Sequence, residues 1–294
     1  MVMKVDVILI TYNQERYINQ AIESILMQCV NDDIQVRVII ADDCSMDNTL
    51  DIIHSYEKES PFPFVYLEKQ NNMGHVRNYQ RAFSKCNGDY VAILEGDDWW
   101  SSPLHIQKHV SFLYEHRECV LTTQYPIWYN EEEKQFIPFA KIQNNANYEY
   151  ITLAEEIREN KIVNLSSCVI CCHAIKRLDR QIFDCLVFDW PMYINLAQLG
   201  LLCVLSGTSN VYRYKSSGLY AGLDEKEQQK KDVLLLQEIE KIFPKYSNYY
   251  DAARRVIKYK EKSNRRKILE LLLKPFVYVE KYFNKVKKIY REMC

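Results

Sequence analysis

Apolar and polar positions change rhythm several times in the first hundred residues. Val5 to Ile10 (VDVILI) is a short apolar run interrupted by one Asp. Tyr17, Ile18, Ala21, Ile22, Ile25 and Leu26 then recur at helical spacing within 17–28. VRVIIA (36–41), FPFVYLEK (62–69) and YVAIL (90–94) read as further strands. Between and after them, 45–56, 75–86 and 103–116 read as helices, with Ser45 placed to cap the first and Pro103 to open the last. Strands that are apolar almost without a break are covered on both faces, and helices between them imply right-handed crossovers. The expectation is an α/β fold with a doubly wound, mostly parallel central sheet flanked by helices.

Beyond residue 100 the pattern is less regular. CVLTTQYPIWYN (119–130) reads as one strand, followed by an acidic turn at Glu131 to Glu133 and a polar, Asn-rich loop to Tyr148. A short helix at 153–160, a strand at 167–173, a helix from Pro191 and a strand at 201–205 come next. From Glu225 onward the pattern is wholly helical. The chain is therefore expected to divide into 1–222, with halves 1–100 and 101–222, and a helical extension, 223–294.

Composition narrows the class. With 48% hydrophobic and 26% charged residues among 294, the chain has the make-up of an ordinary globular protein. Ten cysteines without paired CxxC spacing argue against a zinc site and suit a reducing cytosol. VDVILI is too short for a signal peptide's apolar core, and no apolar run approaches the ~18 residues of a spanning helix. The net charge of −1 conceals a split: 14 Lys/Arg stand against 4 Asp/Glu from Arg254 to Cys294, but 24 against 35 in the rest. An acidic body with a basic tail suits anionic partners reached through the tail, with no nucleic acid expected.

Three polar clusters follow three of the strands: Thr11 to Asn13 after the first, Asp42 to Thr49 after the second, Glu95 to Asp98 after the fourth. Each alone could be a helix cap or a polar loop. Together they fall at one edge of the sheet, where ligands of open α/β folds bind. Side chains alternate along a strand, so Asp97 and Asp98 are expected to diverge, one accepting from a sugar hydroxyl and the other meeting a cation. Few carboxylates suit a hard divalent ion, Mg²⁺ or Mn²⁺. Neither GxxxxGK[ST] nor a strand-following GxGxxG is present, which disfavours kinase-like NTP and dinucleotide binding.

VILITYNQERYINQAIESILMQ, IIADDCSMDNT and NNMGHVRNYQRAFSKCNGDYVAILEGDDWW together resemble the family 2 glycosyltransferases of GT-A fold, over roughly residues 4–222. The resemblance implies a nucleotide-sugar half (1–100) and an acceptor half (101–222). It implies that Thr11 and Asp43 hold the base with Asn13 and Glu15 nearby, and that Arg77 lines the donor site. Asp97 would contact ribose or sugar, and Asp98 would ligate the metal on the diphosphate. FDWPMYINLAQLG is similar to the family's base motif, making Asp189 the catalytic base, although a helix cap is an equal use of that residue. The acid that often precedes the base is Phe188 here. In VYRYKSSGLY, Lys215 stands where the family commonly has a metal-reaching His, so Arg213 and Lys215 become leaving-group clamps, with an ordinary surface lysine as the alternative.

The resemblance implies a metal-dependent, inverting transfer of one sugar from a UDP-sugar to a saccharide or lipid-linked saccharide in bacterial polysaccharide assembly. The absence of Q-x-x-R-W argues against a processive synthase. A sugar nucleotidyltransferase and a non-catalytic nucleotide-sugar-binding protein are the alternatives. Residues 274–293 place apolar side chains along one stripe among lysines, which suits either anionic lipid on the inner face of the cell membrane or a docked partner, including a second copy. The expected location is cytoplasmic or peripheral to that membrane.

Overall fold

The computed structural model describes residues 2–68, 70–137, 147–215, 223 and 225–260. It divides into two compact units, Met1–Gly222 and Leu223–Cys294. The first is a mixed α/β unit built on an eight-stranded sheet. Its first half runs β1 (Met3–Thr11), α1 (Ile18–Leu26), β2 (Ile34–Asp42), α2 (Thr49–Ser55), β3 (Phe64–Tyr66), α3 (His75–Lys85) and β4 (Tyr90–Glu95). Strands β3, β2, β1 and β4 lie side by side and all parallel. Val7, Ile8 and Leu9 of β1 and Val91 to Leu94 of β4 are fully buried, which explains why these strands are apolar at consecutive positions. The exception in β1, Asp6, is buried and matched: Arg37 approaches it at 2.6 Å, and the Asn87 and Gly88 amides donate at 2.7 and 2.9 Å. Gly88 must be glycine, because a Cβ there would stand 2.7 Å from the Lys4 carbonyl oxygen.

After β5 (Trp99–Trp100) and α4 (His105–Glu115) come β6 (Cys119–Thr123), β7 (Ile127–Asn130), β8 (Gln135–Ile137), β9 (Tyr148–Ile151) and α5 (Leu153–Arg158). Then follow β10 (Val169–Cys171), α6 (Cys172–Ile175), α7 (Asp189–Leu196), β11 (Leu201–Leu205) and β12 (Asn210–Tyr214). β10 enters the main sheet antiparallel between β4 and β6, and β11 and β9 complete it.

Three local expectations are corrected. The segment read as one strand over 119–130 is two, β6 in the main sheet and β7 in a second sheet ordered β5-β12-β7-β8. The break contains Pro126, which lacks an amide donor, and the Gln124 side chain turns to Ser206 and His109. The helix read from Ser45 starts at Thr49 instead, because Ser45 donates to Asp42 and accepts from the Asn13 amide. The strand read over 167–173 is only Val169–Cys171, since Cys172 begins a helix.

In the second unit, α8 (Glu225–Ile242) and α9 (Ser247–Lys260) are joined by a turn at Pro244–Tyr246, and Arg254 meets Glu240 at 2.6 Å. No helix among the described residues is long and apolar enough to cross a membrane. The stripe over 274–293 lies outside the described residues.

Candidate active site

The carboxyl ends of β1, β2 and β4 carry the three clusters, and two of them are tied together. Asn13 (φ 51°) and Cys44 (φ 66°) both lie in the left-handed region, a strained backbone for residues other than glycine. The loops carrying them clasp each other. The Asn13 amide donates to Ser45 Oγ at 2.8 Å, and its Oδ1 accepts from the Met46 amide at 2.8 Å. Glu15 does the same one turn on, its Oε2 accepting from the Asn48 amide and side chain at 3.1 and 2.9 Å. Asn13 and Glu15 thus spend their side chains shaping the loop after β2. Thr11 is different: it is buried and its Oγ1 has no partner among the described residues.

Asp43 is buried and reaches across to the loop before α3. Its two oxygens accept from the amides of Met73 and Gly74, each at 2.8 Å, and Gly74 (φ 82°) allows the turn. A carboxylate has about four lone-pair sites, so two remain for a ligand donor. Replacing Asp43 with Ala is expected to cost about 1–3 kcal/mol and to speed amide exchange at Met73 and Gly74. Unchanged exchange at both amides would remove the anchoring role.

The paired aspartates are placed by β12, the residue after it, and the segment ahead of β10. Asp98 is buried, and its oxygens accept three hydrogen bonds: from the Arg213 amide at 2.8 Å, Asn164 Nδ2 at 2.9 Å and Ser166 Oγ at 2.7 Å. Burial, then Asp97 and Glu95, push its pKa well up, while the amide and hydroxyl donors oppose that rise. Asp97 points the other way and presents its carboxylate to Lys215, whose Nζ stands 2.6 Å from Oδ2. The pair diverges as expected, though through the turn between β4 and β5, closed by the Asp98 amide on the Glu95 carbonyl at 2.9 Å, rather than by strand alternation. Asp98 is absorbed into the protein and Asp97 faces outward.

Arg213 is likewise consumed. Its Nε donates to the Asp97 carbonyl at 2.7 Å, its guanidinium pairs with Glu131, and Nη2 donates to Gln20 at 2.6 Å. Tyr17 and Trp99 rings lie 4.6 and 4.8 Å from the guanidinium carbon. It is a buried brace that fixes the backbone of Asp97, not a free clamp. Arg77 is directed to Asp184 (2.7 Å) and Gln80 (2.8 Å) on an exposed face.

Asp189 occupies the first turn of α7, so its reading as a cap residue is replaced by one position inside the helix; Phe188 is the N-cap. Burial raises its pKa, opposed by the Trp190 amide and by His75. Two residues not singled out from sequence join it. Glu95 Oε1 accepts from Tyr79 at 3.0 Å and lies 3.2 Å from His75 Nε2. Burial pulls His75 down, but the hydrogen bond and charge of Glu95 outweigh it and the net shift is upward. Burial likewise favours protonated Glu95, yet His75 and Tyr79 win and the carboxyl is lowered. A His–Glu pair in which each group favours the charged form of the other therefore stands beside Asp189. The signal was present, since Glu95 opens the EGDD cluster, but the partnership of His75 spans three elements. Beneath Asp189, the Trp190 indole donates to the Glu156 carbonyl at 2.7 Å, and burial pushes the Glu156 carboxyl up to about 8.

Residues 6–183 match the family model described as glycosyl transferase family 2. The chain belongs to that family. Among relatives, this family 2 chain is 28% identical to the uncharacterized protein Mb1547 of Mycobacterium bovis over 73% of its own length and 60% of that protein's. It is 36% identical to TuaG of Bacillus subtilis, named as a teichuronic acid biosynthesis glycosyltransferase, over 40% of this chain and 44% of TuaG. Its GT-A fold is shared with S. aureus TarS 1–349 solved with UDP-GlcNAc, at TM-score 0.60 and 20% identity over 81% of this chain and 67% of TarS. It is also shared with mannosyltransferase PcManGT of Pyrobaculum calidifontis, solved with GDP-Man and Mn²⁺, at TM-score 0.59 and 14% identity over 95% of this chain and 81% of that one.

No group of three or more His, Cys, Asp or Glu side chains among the described residues is arranged to hold a metal unaided. The donor set fits a hard cation held jointly with a ligand. Asp97 offers a partly exposed carboxylate with one oxygen on Lys215, and carboxylate oxygens suit Mg²⁺ or Mn²⁺, which takes few protein ligands and substrate phosphates.

Proposed function

We propose that this chain is an inverting glycosyltransferase that moves one sugar from a UDP-sugar to a saccharide or lipid-linked saccharide of a bacterial surface polysaccharide. The observation that carries the reading is one edge of one sheet holding both chemistries. An outward carboxylate, Asp97, stands beside a cationic side chain, and a proton-avid carboxylate, Asp189, stands beside the Glu95–His75 pair. In the proposed reaction Asp189 accepts the proton of the acceptor hydroxyl, which attacks the anomeric carbon from the face opposite the nucleoside diphosphate. Thr11, with its free hydroxyl, and Asp43, with its spare lone pairs, are the base-binding candidates. Asn13 and Glu15 support them by holding the loop after β2.

We assign the Mn²⁺ or Mg²⁺ contact to Asp97 rather than to Asp98, because the latter's oxygens already serve three protein donors. When bound, the ion would neutralise charge on the departing diphosphate. Residues 1–100 then form the nucleotide-sugar half and 101–222 the acceptor half. TuaG's name and the UDP-GlcNAc seen in TarS support a UDP-sugar and a polysaccharide acceptor; the GDP-Man of PcManGT is the competing donor class. The basic tail, 254–294, would bring the enzyme to anionic lipid at the cytoplasmic face of the membrane.

The test is thermal stabilisation by a panel of UDP-, GDP- and dTDP-sugars with Mn²⁺ or with EDTA, on wild type and Asp97→Asn. One donor at about a hundredfold above its Kd is expected to raise Tm by roughly 5 °C, with metal, in wild type alone. An equal shift in Asp97→Asn would move the metal contact elsewhere. No shift with any donor would end the transferase reading.

A further inference from the structure

In the described structure the outward carboxylate of the site is not empty-handed. Lys215 Nζ lies 2.6 Å from Asp97 Oδ2 and 4.5 Å from the centre of the Tyr17 ring. Both side chains are about one-fifth exposed, so the pair is partly shielded from water and salt. Its frame is rigid. Lys215 comes directly after β12, two residues from Arg213, whose amide is fixed on Asp98 and whose Nε is fixed on the Asp97 carbonyl. The ammonium and the carboxylate are therefore delivered to each other by the same brace.

We propose that Lys215 is an internal counter-ion for Asp97 that keeps a free divalent cation off the donor-free enzyme and passes to the donor's diphosphate when donor and cation arrive together. The proposal rests on the assignment of the metal contact to Asp97 and extends it to the order of binding. The physical reason is charge. A doubly charged ion arriving alone on Asp97 must share one carboxylate with an ammonium a few ångströms away, and the two cations repel. A diphosphate adds negative charge at the same place, gives the ammonium new acceptors, and releases the Asp97 oxygen. Lysine suits this exchange because its ammonium is a compact charge on a flexible stem, whereas Arg213 is locked by three partners. Lys215 is thus a positioning residue for the cation rather than a ligand of it.

The test measures Mn²⁺ alone, by the electron paramagnetic resonance signal of the free ion, on the full chain without nucleotide. Lys215→Met is expected to bind Mn²⁺ about tenfold more tightly than wild type, and Lys215→Arg, which keeps the charge, to stay close to wild type. Adding Asp97→Asn to Lys215→Met should erase the gain. In a second arm, calorimetry with UDP and Mn²⁺ is expected to show Lys215→Met binding UDP about tenfold more weakly than wild type. Far-ultraviolet circular dichroism and Tm confirm that each variant is folded. Equal Mn²⁺ affinity in wild type and Lys215→Met, whether strong or weak, overturns the counter-ion. Unchanged UDP affinity in Lys215→Met overturns the transfer to diphosphate. If wild type binds no nucleotide at all, the donor reading fails and the transfer fails with it. The Mn²⁺ arm, which needs no nucleotide, separates that failure from failure of the counter-ion.

Discussion

Replacing Asp189 with Asn is expected to lower kcat by about 10²–10⁴ while leaving nucleotide-sugar affinity unchanged. Asn preserves the shape of the first turn of α7 but cannot take a proton. The donor-binding candidates lie on other elements, so binding and turnover should separate. The pH dependence follows from the raised pKa of Asp189, whose main cause is burial. The base works only when ionised, so kcat/KM should fall as pH drops through that raised pKa, above the usual aspartate value of about 3.9. The same shift has a sign for stability. The folded state binds this proton more tightly than the unfolded chain does. Its contribution is therefore complete below the unfolded pKa and is lost as pH rises through the folded one. At neutral pH Asp189 is consequently a cost, and Asp189→Asn should raise Tm while removing activity, a trade common at working sites. Calorimetric unfolding beside steady-state kinetics checks both. A variant that keeps full kcat would remove Asp189 from the reaction.

Asp98→Ala is expected to destabilise the first unit by about 3–5 kcal/mol without being a probe of metal binding. Three donors lose their acceptor: Asn164 Nδ2, Ser166 Oγ and the Arg213 amide. Each stranded buried donor costs about 1–3 kcal/mol, and removing a carboxylate whose ionised form burial disfavours returns part of that. The donors win because three are lost for one charge relieved. A loss of that size is a large part of a typical domain's total of about 5–15 kcal/mol, and should lower Tm by roughly 10 °C. Asp97→Ala provides the contrast. Its partly exposed pair with Lys215 is worth about 0–1 kcal/mol, so Tm should barely move while metal-dependent donor binding is lost. The reverse pattern, a stable Asp98→Ala and an unfolded Asp97→Ala, would exchange the two assignments.

The amino-acid sequence alone was enough for the layered architecture. Strands buried on both faces must be apolar throughout, so VDVILI, VRVIIA and YVAIL announce a covered parallel sheet, and the polar clusters that follow them mark one edge. That logic located Thr11, Asp43, Asp97 and Asp98 as the residues of interest and expected the adjacent aspartates to diverge, whereas Asp189 came from the resemblance of FDWPMYINLAQLG to the family's base motif. It could not tell which way each of them faces. That choice depends on β12, which runs 115 residues later and brings the Arg213 amide to Asp98, and on Asn164 and Ser166 beside β10. Asn13, Glu15 and Arg213 look like ligand-binding side chains in one dimension and are bracing groups in three. The reason is that a polar side chain next to a strand end serves whichever partner the fold brings nearer. The Glu95–His75 pair and the Lys215–Asp97 pair were hidden for the same reason. Periodicity and motif spacing report which face of a local element is buried, whereas a charge finds its partner only through contacts between elements far apart in the chain.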